Sequence, residues 1–260
     1  MYYSQNYAVP ATLEEAWTLN QKKSNRILAG NMWLRLSTLN FDTLIDLSAL
    51  KLDQIEETPD HFVIGAMVPL RELELSPSLS ATFCGTIKEA VRNIVGTQFR
   101  NTATIGGSIW GRFGFSDILT LLLALDTEVC LYKAGTIPLS EFIAMPYDRD
   151  ILTHVIIHKN LQAAAYQTLR NQSTDFPVIA CALAKTTDAY RLAIGARPGK
   201  AVLYTAAELS TESDFTAFLE KATSNTVFGT NIRASAEYRQ AMAVVLLKRL
   251  WTQITEKEAH

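Results

Sequence analysis

The stretch Asp117–Leu125, DILTLLLAL, places the tightest constraint on what this chain can fold into. Aspartate is a helix-opening residue, and a helix over Ile118–Leu125 has no polar face, so it demands burial on all sides. Its longest apolar run, Leu121–Leu125, is far short of the roughly 20 residues that span a bilayer. The burial must therefore come from protein. A chain of 260 residues, 48% hydrophobic and 19% charged, has the material for such cores, in one large domain, two domains or three small subdomains.

The remaining segments supply the surroundings. Thr12 and Glu15 form a capping-box pattern, which predicts a helix over Leu13–Lys23. Arg26–Ala29 reads as a short strand ending at the turn pair Gly30-Asn31, and Leu44–Leu47 as the next strand, giving a small α/β unit over residues 1–55. In a second section, residues 56–160, Phe62–Met67 is a strand, Gly85–Val95 a helix, and Thr102–Trp110 extended. Glu128–Tyr132 and Ile151–His158 are further strands. Residues 161–260 change character. Ala163–Leu169, Val178–Lys185 and Tyr190–Ala196 read as consecutive strands of an antiparallel sheet. A long helix follows from Ser235, with Ala243, Leu246, Leu247, Leu250, Trp251 and Ile254 at helical spacing. The fold class is α+β: two α/β subdomains and a C-terminal α+β domain.

Several function classes are disfavoured. A net charge of -2 gives no basic field for nucleic acid or an anionic membrane. Cys84, Cys130 and Cys181 are scattered, odd in number and without a CxxC, which argues against a disulfide framework, a zinc site or an iron–sulfur site. His154 and His158 sit in ILTHVIIH, a strand-like pattern in which residues four apart lie roughly 13 Å from each other, so no metal site is expected. There is no P-loop, no GxGxxG after a strand and no GxSxG, and no residue is assigned a catalytic role. The N-terminus lacks the basic-then-apolar pattern of a signal peptide, so a cytoplasmic location is expected.

Two glycine-containing turns stand out. One is Leu28-Ala29-Gly30-Asn31-Met32-Trp33-Leu34. The other is Thr104-Ile105-Gly106-Gly107-Ser108, with Asp117 at a helix start beyond it. Glycines at a strand end let successive backbone N–H groups turn toward an anion with no Cβ in the way. Ser108 adds a hydroxyl, and Asp117 is placed either to accept from a ribose hydroxyl or to cap its own helix. A paired glycine after a strand is also an ordinary tight turn.

Taken together, AGN at 29–31, TIGGS at 104–108 and SD at 116–117 resemble the FAD-binding subunit of molybdenum hydroxylases, the family of the xanthine dehydrogenase flavin domain and the carbon monoxide dehydrogenase medium subunit. The flanking text is similar in the same order: LIDLSAL at 44–50, IGAMVPLREL at 64–73, RNIVGTQFRNTATIGGS at 92–108 and LLALDTEVCL at 122–131. FPVIACA at 176–182, RLAIGARPGKA at 191–201 and RASAEYR at 233–239 continue it.

The resemblance implies a vanillyl-alcohol-oxidase-like flavin fold of two subdomains plus the C-terminal domain, with FAD between the first two and its diphosphate at the glycine turns. On matching positions the cofactor contacts are Leu28, Ala29, Gly30, Asn31, Met32, Trp33 and Leu34 from the first turn. The second supplies Thr104, Ile105, Gly106, Gly107 and Ser108, with Trp110 just beyond. Asp117 matches an acidic position near the ribose and diphosphate, and Ile94, Val95 and Ile156 match apolar positions along the adenine or flavin. Gln167 stands where several relatives carry a lysine near the flavin ring. Asn31-Met32-Trp33 replaces a more polar triplet, and Arg112-Phe113-Gly114-Phe115 replaces a small-residue stretch.

The implied partners are a molybdopterin-binding large subunit and a [2Fe-2S] small subunit. Electrons from the clusters would pass through FAD to NAD or another acceptor. Two alternatives stay open: an assembly subunit whose FAD site has decayed, suggested by Met32 and Trp33, and a stand-alone flavin oxidoreductase of the same fold.

Overall fold

The apolar stretch is buried as its composition demands. In the computed structural model, which describes residues 2–258, every residue of the helix Asp117–Ala124 is buried. In chain order the elements are β1 (Tyr3–Ala8), α1 (Leu13–Asn20), β2 (Arg26–Leu28), β3 (Asn40–Asp46), β4 (Ile55–Glu57), β5 (His61–Gly65), α2 (Leu70–Leu75), α3 (Pro77–Thr82), α4 (Thr86–Val91), α5 (Thr97–Arg100), α6 (Ile105–Trp110) and α7 (Asp117–Ala124). They continue with β6 (Thr127–Leu131), β7 (Gly135–Pro138), α8 (Leu139–Ala144), β8 (Leu152–His158), β9 (Leu161–Leu169), β10 (Ile179–Thr186), β11 (Tyr190–Gly195), β12 (Val202–Ala206), α9 (Glu212–Asn225) and α10 (Ala236–Glu258). Among the described residues no helix is long and apolar enough to cross a membrane.

These elements form two compact units. One takes the residues up to Glu72, Thr97–Gly111 and Thr127–Ile157; the other takes Leu73–Gly96, Arg112–Asp126 and the residues from His158 on.

The first unit holds two sheets. Strands β1, β3 and β2 pair in that order, all parallel, and α1 is the crossover that a parallel arrangement requires. Thr12 caps α1 by accepting from Glu15 N at 3.2 Å, while Glu15 reaches back to Ala11 N at 2.9 Å. The helix stops at Asn20, short of the expected Lys23. The amides of Gln21 and Lys22 reach back only three residues, to Thr18 O and Leu19 O, so the last turn tightens and closes. The second sheet has the order β4-β5-β8-β6-β7. Ala16, Ile45, Leu47, Leu52 and Ile151 form a core shared by α1, the parallel sheet and the loops around it.

The second unit is built on the antiparallel sheet β12-β11-β10-β9, as the consecutive-strand pattern predicts. Its two faces differ by design of the period-2 alternation. Ile179, Cys181, Leu183, Leu192 and Ile194 pack with Phe215 and Leu219 of α9 and Leu247 and Leu250 of α10. The opposite face offers Ala180, Ala182, Ala184 and Ala193, all buried, together with Gly195. This small-residue face lets α7 approach closely. A Cβ on Gly195 would lie 1.9 Å from Thr120 Oγ1 and 3.0 Å from Thr120 Cβ. Arg191 donates from Nε to Ala124 O at 3.1 Å and from Nη2 to Leu123 O at 3.3 Å, satisfying carbonyls at the end of α7.

Gly195→Ala should therefore lower stability by about 1–3 kcal/mol through overpacking. A thermal melt should show a fall of several degrees, and an unchanged melt would mean that α7 is not pressed against β11.

Strands β1 and β12 and helix α9 were not anticipated from the sequence. Residues 105–110 are helical, where Thr102–Trp110 reads as extended. The two glycines are poor helix formers, but Thr104 in extended backbone (φ -100, ψ 156) is an N-cap that starts the helix regardless.

Candidate functional site

The first turn begins where β2 ends. Gly30 is required by backbone packing, because a Cβ there would lie 2.0 Å from Thr102 O and 2.8 Å from Ala103 Cα. Asn31 has φ 56, the left-handed region that asparagine enters more readily than most residues. Its Nδ2 donates to Tyr2 OH at 2.9 Å, and its carbonyl accepts from Arg35 N at 3.2 Å. Asn31 Oδ1 is buried and has no hydrogen-bond partner among the described residues. The amides of Gly30, Asn31 and Met32 likewise donate to nothing among the described residues. Leu28 closes β2 on its pairing with Asp46. Trp33 is 38% exposed, and Leu34 opens a short 3-10 turn to Leu36.

The second turn spends its amides inside the fold. Ile105 N donates to Val68 O and Gly106 N to Ala66 O, each at 2.9 Å. Gly107 N donates to Thr104 Oγ1 at 3.1 Å, and Ser108 N to Thr104 O at 3.1 Å. The Ser108 hydroxyl also returns to Thr104 O, at 2.9 Å. Gly106 is a packing glycine, since a Cβ would meet Ala66 Cβ and O at 2.6 Å. Gly107 is different: it is exposed, and an added Cβ would meet only Thr104 Oγ1 at 3.2 Å and Ala29 Cβ at 3.9 Å.

The two turns thus converge, Gly30 lying on Thr102 and Gly107 facing Ala29. Trp110 lies beyond, half-buried, its ring 5.8 Å from that of Phe142. A cavity of about 170 Å³ borders Ala29, Gly107 and Trp110. Ile156, half-buried on β8, belongs to the same unit.

Ile94, Val95, Asp117 and Gln167 belong to the second unit. Asp117 is buried at the first turn of α7, and its Oδ1 accepts from Tyr166 OH at 2.7 Å and from Arg170 Nη2. Burial pushes its carboxyl up, and the Arg170 guanidinium beside it pulls back. Burial, with the Asp117 charge next to it, also holds the Tyr166 hydroxyl well above its ordinary range. Tyr166 and Arg170 went unnoticed in the sequence, although a carboxylate opening a buried apolar helix needs a cation. Gln167 lies on β9 opposite Cys181 and is half-buried.

Val95 is 44% exposed and has φ 53. A β-branched residue there carries roughly 1–2 kcal/mol of strain. Val95→Gly should raise stability by about 0.5–1 kcal/mol after the entropy of the glycine is subtracted. Denaturant titration checks this, and a loss of stability would show that the isopropyl group packs more than it strains.

A family model described as the FAD binding domain in molybdopterin dehydrogenase matches residues 3–160. The uncharacterised protein YgfM of Escherichia coli (strain K12) is 28% identical over 252 residues, covering 93% of each chain. The nicotine 6-hydroxylase medium subunit of Paenarthrobacter nicotinovorans is 27% identical over 271 residues, covering 94% of each. A solved structure of carbon monoxide dehydrogenase from Hydrogenophaga pseudoflava superposes with a TM-score of 0.83 at 23% identity, covering 96% of this chain and 97% of that one.

Proposed function

Since the chain belongs to the family of FAD-binding domains in molybdopterin dehydrogenases, we propose that it is the electron-relaying medium subunit of a multi-subunit molybdenum hydroxylase. FAD is its cofactor, and the residues present fit that group. The unspent amides of Gly30, Asn31 and Met32 suit an anionic diphosphate. The buried, unpartnered Asn31 Oδ1 is an acceptor for a hydroxyl donor, which FAD carries.

The observation that carries this reading is the open Cα of Gly107 facing Ala29 across the two converging turns. The first turn, Leu28 to Leu34, is assigned the amide contacts. The second, Thr104 to Ser108, is assigned the shape of the cradle, its own amides being spent on α6. Trp110, just beyond the second turn, is assigned to the same cradle, and Ile156 of the same unit to an apolar face along the adenine or flavin. Asp117 acts from inside the fold, held by Arg170 and Tyr166, and fixes the start of α7.

When bound, FAD accepts electrons singly and releases them in pairs. The chain's own work is to hold and orient it and to exclude water from the diphosphate. A molybdopterin-binding large subunit and a [2Fe-2S] small subunit are the proposed partners, supported by the medium-subunit name of the nicotine 6-hydroxylase relative. NAD is the proposed acceptor, and residues 1–55, 56–160 and 161–260 are the proposed domains.

The test is anaerobic. Holoprotein reduced by dithionite, freed of excess reductant and mixed with NAD, should recover the oxidised flavin absorbance as NADH appears. Recovery only with oxygen or a quinone would assign another acceptor. A purified chain that is colourless and stays colourless in added FAD would overturn the relay reading.

A further inference from the structure

The backbone of the first turn is fixed at two points. Gly30 sits against Thr102, where no Cβ fits, and the Asn31 carbonyl accepts from Arg35 N at 3.2 Å. Neither contact fixes the Asn31 side chain. Among the described residues that side chain has one hydrogen-bond partner, the Tyr2 hydroxyl, to which Nδ2 donates at 2.9 Å.

Tyr2 is itself anchored to the parallel sheet. It directly precedes β1, whose Tyr3 and Ser4 pair with Asn40 and Phe41 of β3. Its ring stands edge-on to the Phe41 ring, with centroids 5.8 Å apart and planes at 61°, a favoured arrangement for two aromatic rings. Phe41 is 4% exposed and has the Arg26 guanidinium over its ring as well, Cζ lying 5.6 Å from the centroid. A buried ring on the central strand thus sets where the Tyr2 oxygen lies, and that oxygen holds a residue 29 positions further along the chain.

The consequence lies at the other end of the carboxamide. Its oxygen and nitrogen leave one carbon in different directions, so a tied Nδ2 fixes where Oδ1 points. Asn31 Oδ1 is buried and accepts from nothing among the described residues. A buried acceptor without a donor is costly, and a free Asn31 side chain would relieve that cost by rotating toward water or a neighbouring amide. The hydrogen bond to Tyr2 opposes that rotation. The turn, with Asn31 already in left-handed backbone at φ 56, is kept open for a donor before one arrives, which lowers the ordering cost of binding.

We propose that Tyr2 is a positioning residue for the cofactor turn, acting through the Asn31 carboxamide to hold Oδ1 toward a hydroxyl donor of the ligand. The proposal rests on the reading that FAD occupies this turn and states how one of its contacts is aligned.

Equilibrium FAD binding to the flavin-stripped full chain, followed by flavin fluorescence, is compared in the parent, Tyr2→Phe, Asn31→Gly and the double variant. Tyr2→Phe keeps the ring against Phe41 and removes only the oxygen. Asn31→Gly removes the carboxamide and tolerates the left-handed backbone, so both variants should fold. Tyr2→Phe is expected to weaken FAD binding about five- to tenfold, while the melting temperature of the flavin-free chain moves by no more than a few degrees. In the Asn31→Gly background the same change should have no further effect on FAD affinity, because the group through which Tyr2 acts is gone. A merely structural role would weaken both backgrounds alike. Equal losses in the two backgrounds therefore overturn the proposal, as does a Tyr2→Phe chain that binds FAD like the parent while Asn31→Gly does not. A parent chain that takes up no FAD would instead sink the cofactor reading, and the proposal with it.

Discussion

Arg239→Met is expected to destabilise the second unit by about 3–5 kcal/mol, because two buried carbonyls and the Asn231 side-chain oxygen lose their donor at once. Arg239 is 1% exposed. Its Nη1 donates to Val178 O and, at 2.7 Å, to Ala196 O, and its Nη2 donates to Asn231 Oδ1. One side chain thus ties the start of β10, the residue after β11 and the loop before α10 to the first turns of α10. Ala196 has φ 56, a strained conformation that persists only where its surroundings fix it. Burial, with Arg233 nearby, pushes the Arg239 guanidinium down. Methionine restores most of the volume, so the loss should report hydrogen bonding rather than a cavity. Arg239→Lys should recover little, since one ammonium cannot reproduce a planar fork. Chemical denaturation followed by circular dichroism measures both, and a lysine variant as stable as the parent would refute the fork.

Asp117→Asn should be comparably damaging. It preserves shape and an acceptor for Tyr166 OH but leaves Arg170 buried without its ion-pair partner; the two side chains are 5% and 7% exposed. Breaking a buried pair from one side costs about 3–5 kcal/mol, whereas replacing both partners with apolar groups is often neutral. The double variant Asp117→Leu, Arg170→Met should therefore be more stable than either single one. In a chain of this size each kcal/mol moves the melting temperature by about 2–4 °C, so the single variant should fall by roughly 6–20 °C. Additive losses in the double variant would show that the pair is not coupled.

What the sequence made legible is what composition alone determines. The α7 stretch has no polar face and is buried throughout. The spacing of Ala243, Leu246, Leu247, Leu250 and Ile254 places all five in the core of the second unit. Alternation identified β9, β10 and β11. Strand β1 was illegible because it is mostly exposed and pairs with a strand more than thirty residues away. Helix α9 could have been read: Thr211 and Asp214 form a full capping box, and Phe215, Leu219 and Ala222 follow at helical spacing. At the candidate site the sequence marks glycines but not their reasons. Gly30 and Gly106 admit a neighbouring backbone or Ala66, and only Gly107 leaves room on its Cα. Nothing in the letters TIGGS separates those roles, because each depends on residues far away in the chain.

The central claim, that FAD lies against Gly107 between the two turns, is tested most directly by equilibrium FAD binding to Gly107→Val and parent chains stripped of flavin. The parent should bind one FAD per chain. The valine variant should fold with a modest loss of stability, since its Cβ crowds the Thr104 hydroxyl at 3.2 Å and meets Ala29 at 3.9 Å, yet bind FAD about a hundredfold more weakly, a loss near 2.7 kcal/mol. A folded valine variant that takes up FAD with undiminished affinity would contradict the placement of the cofactor.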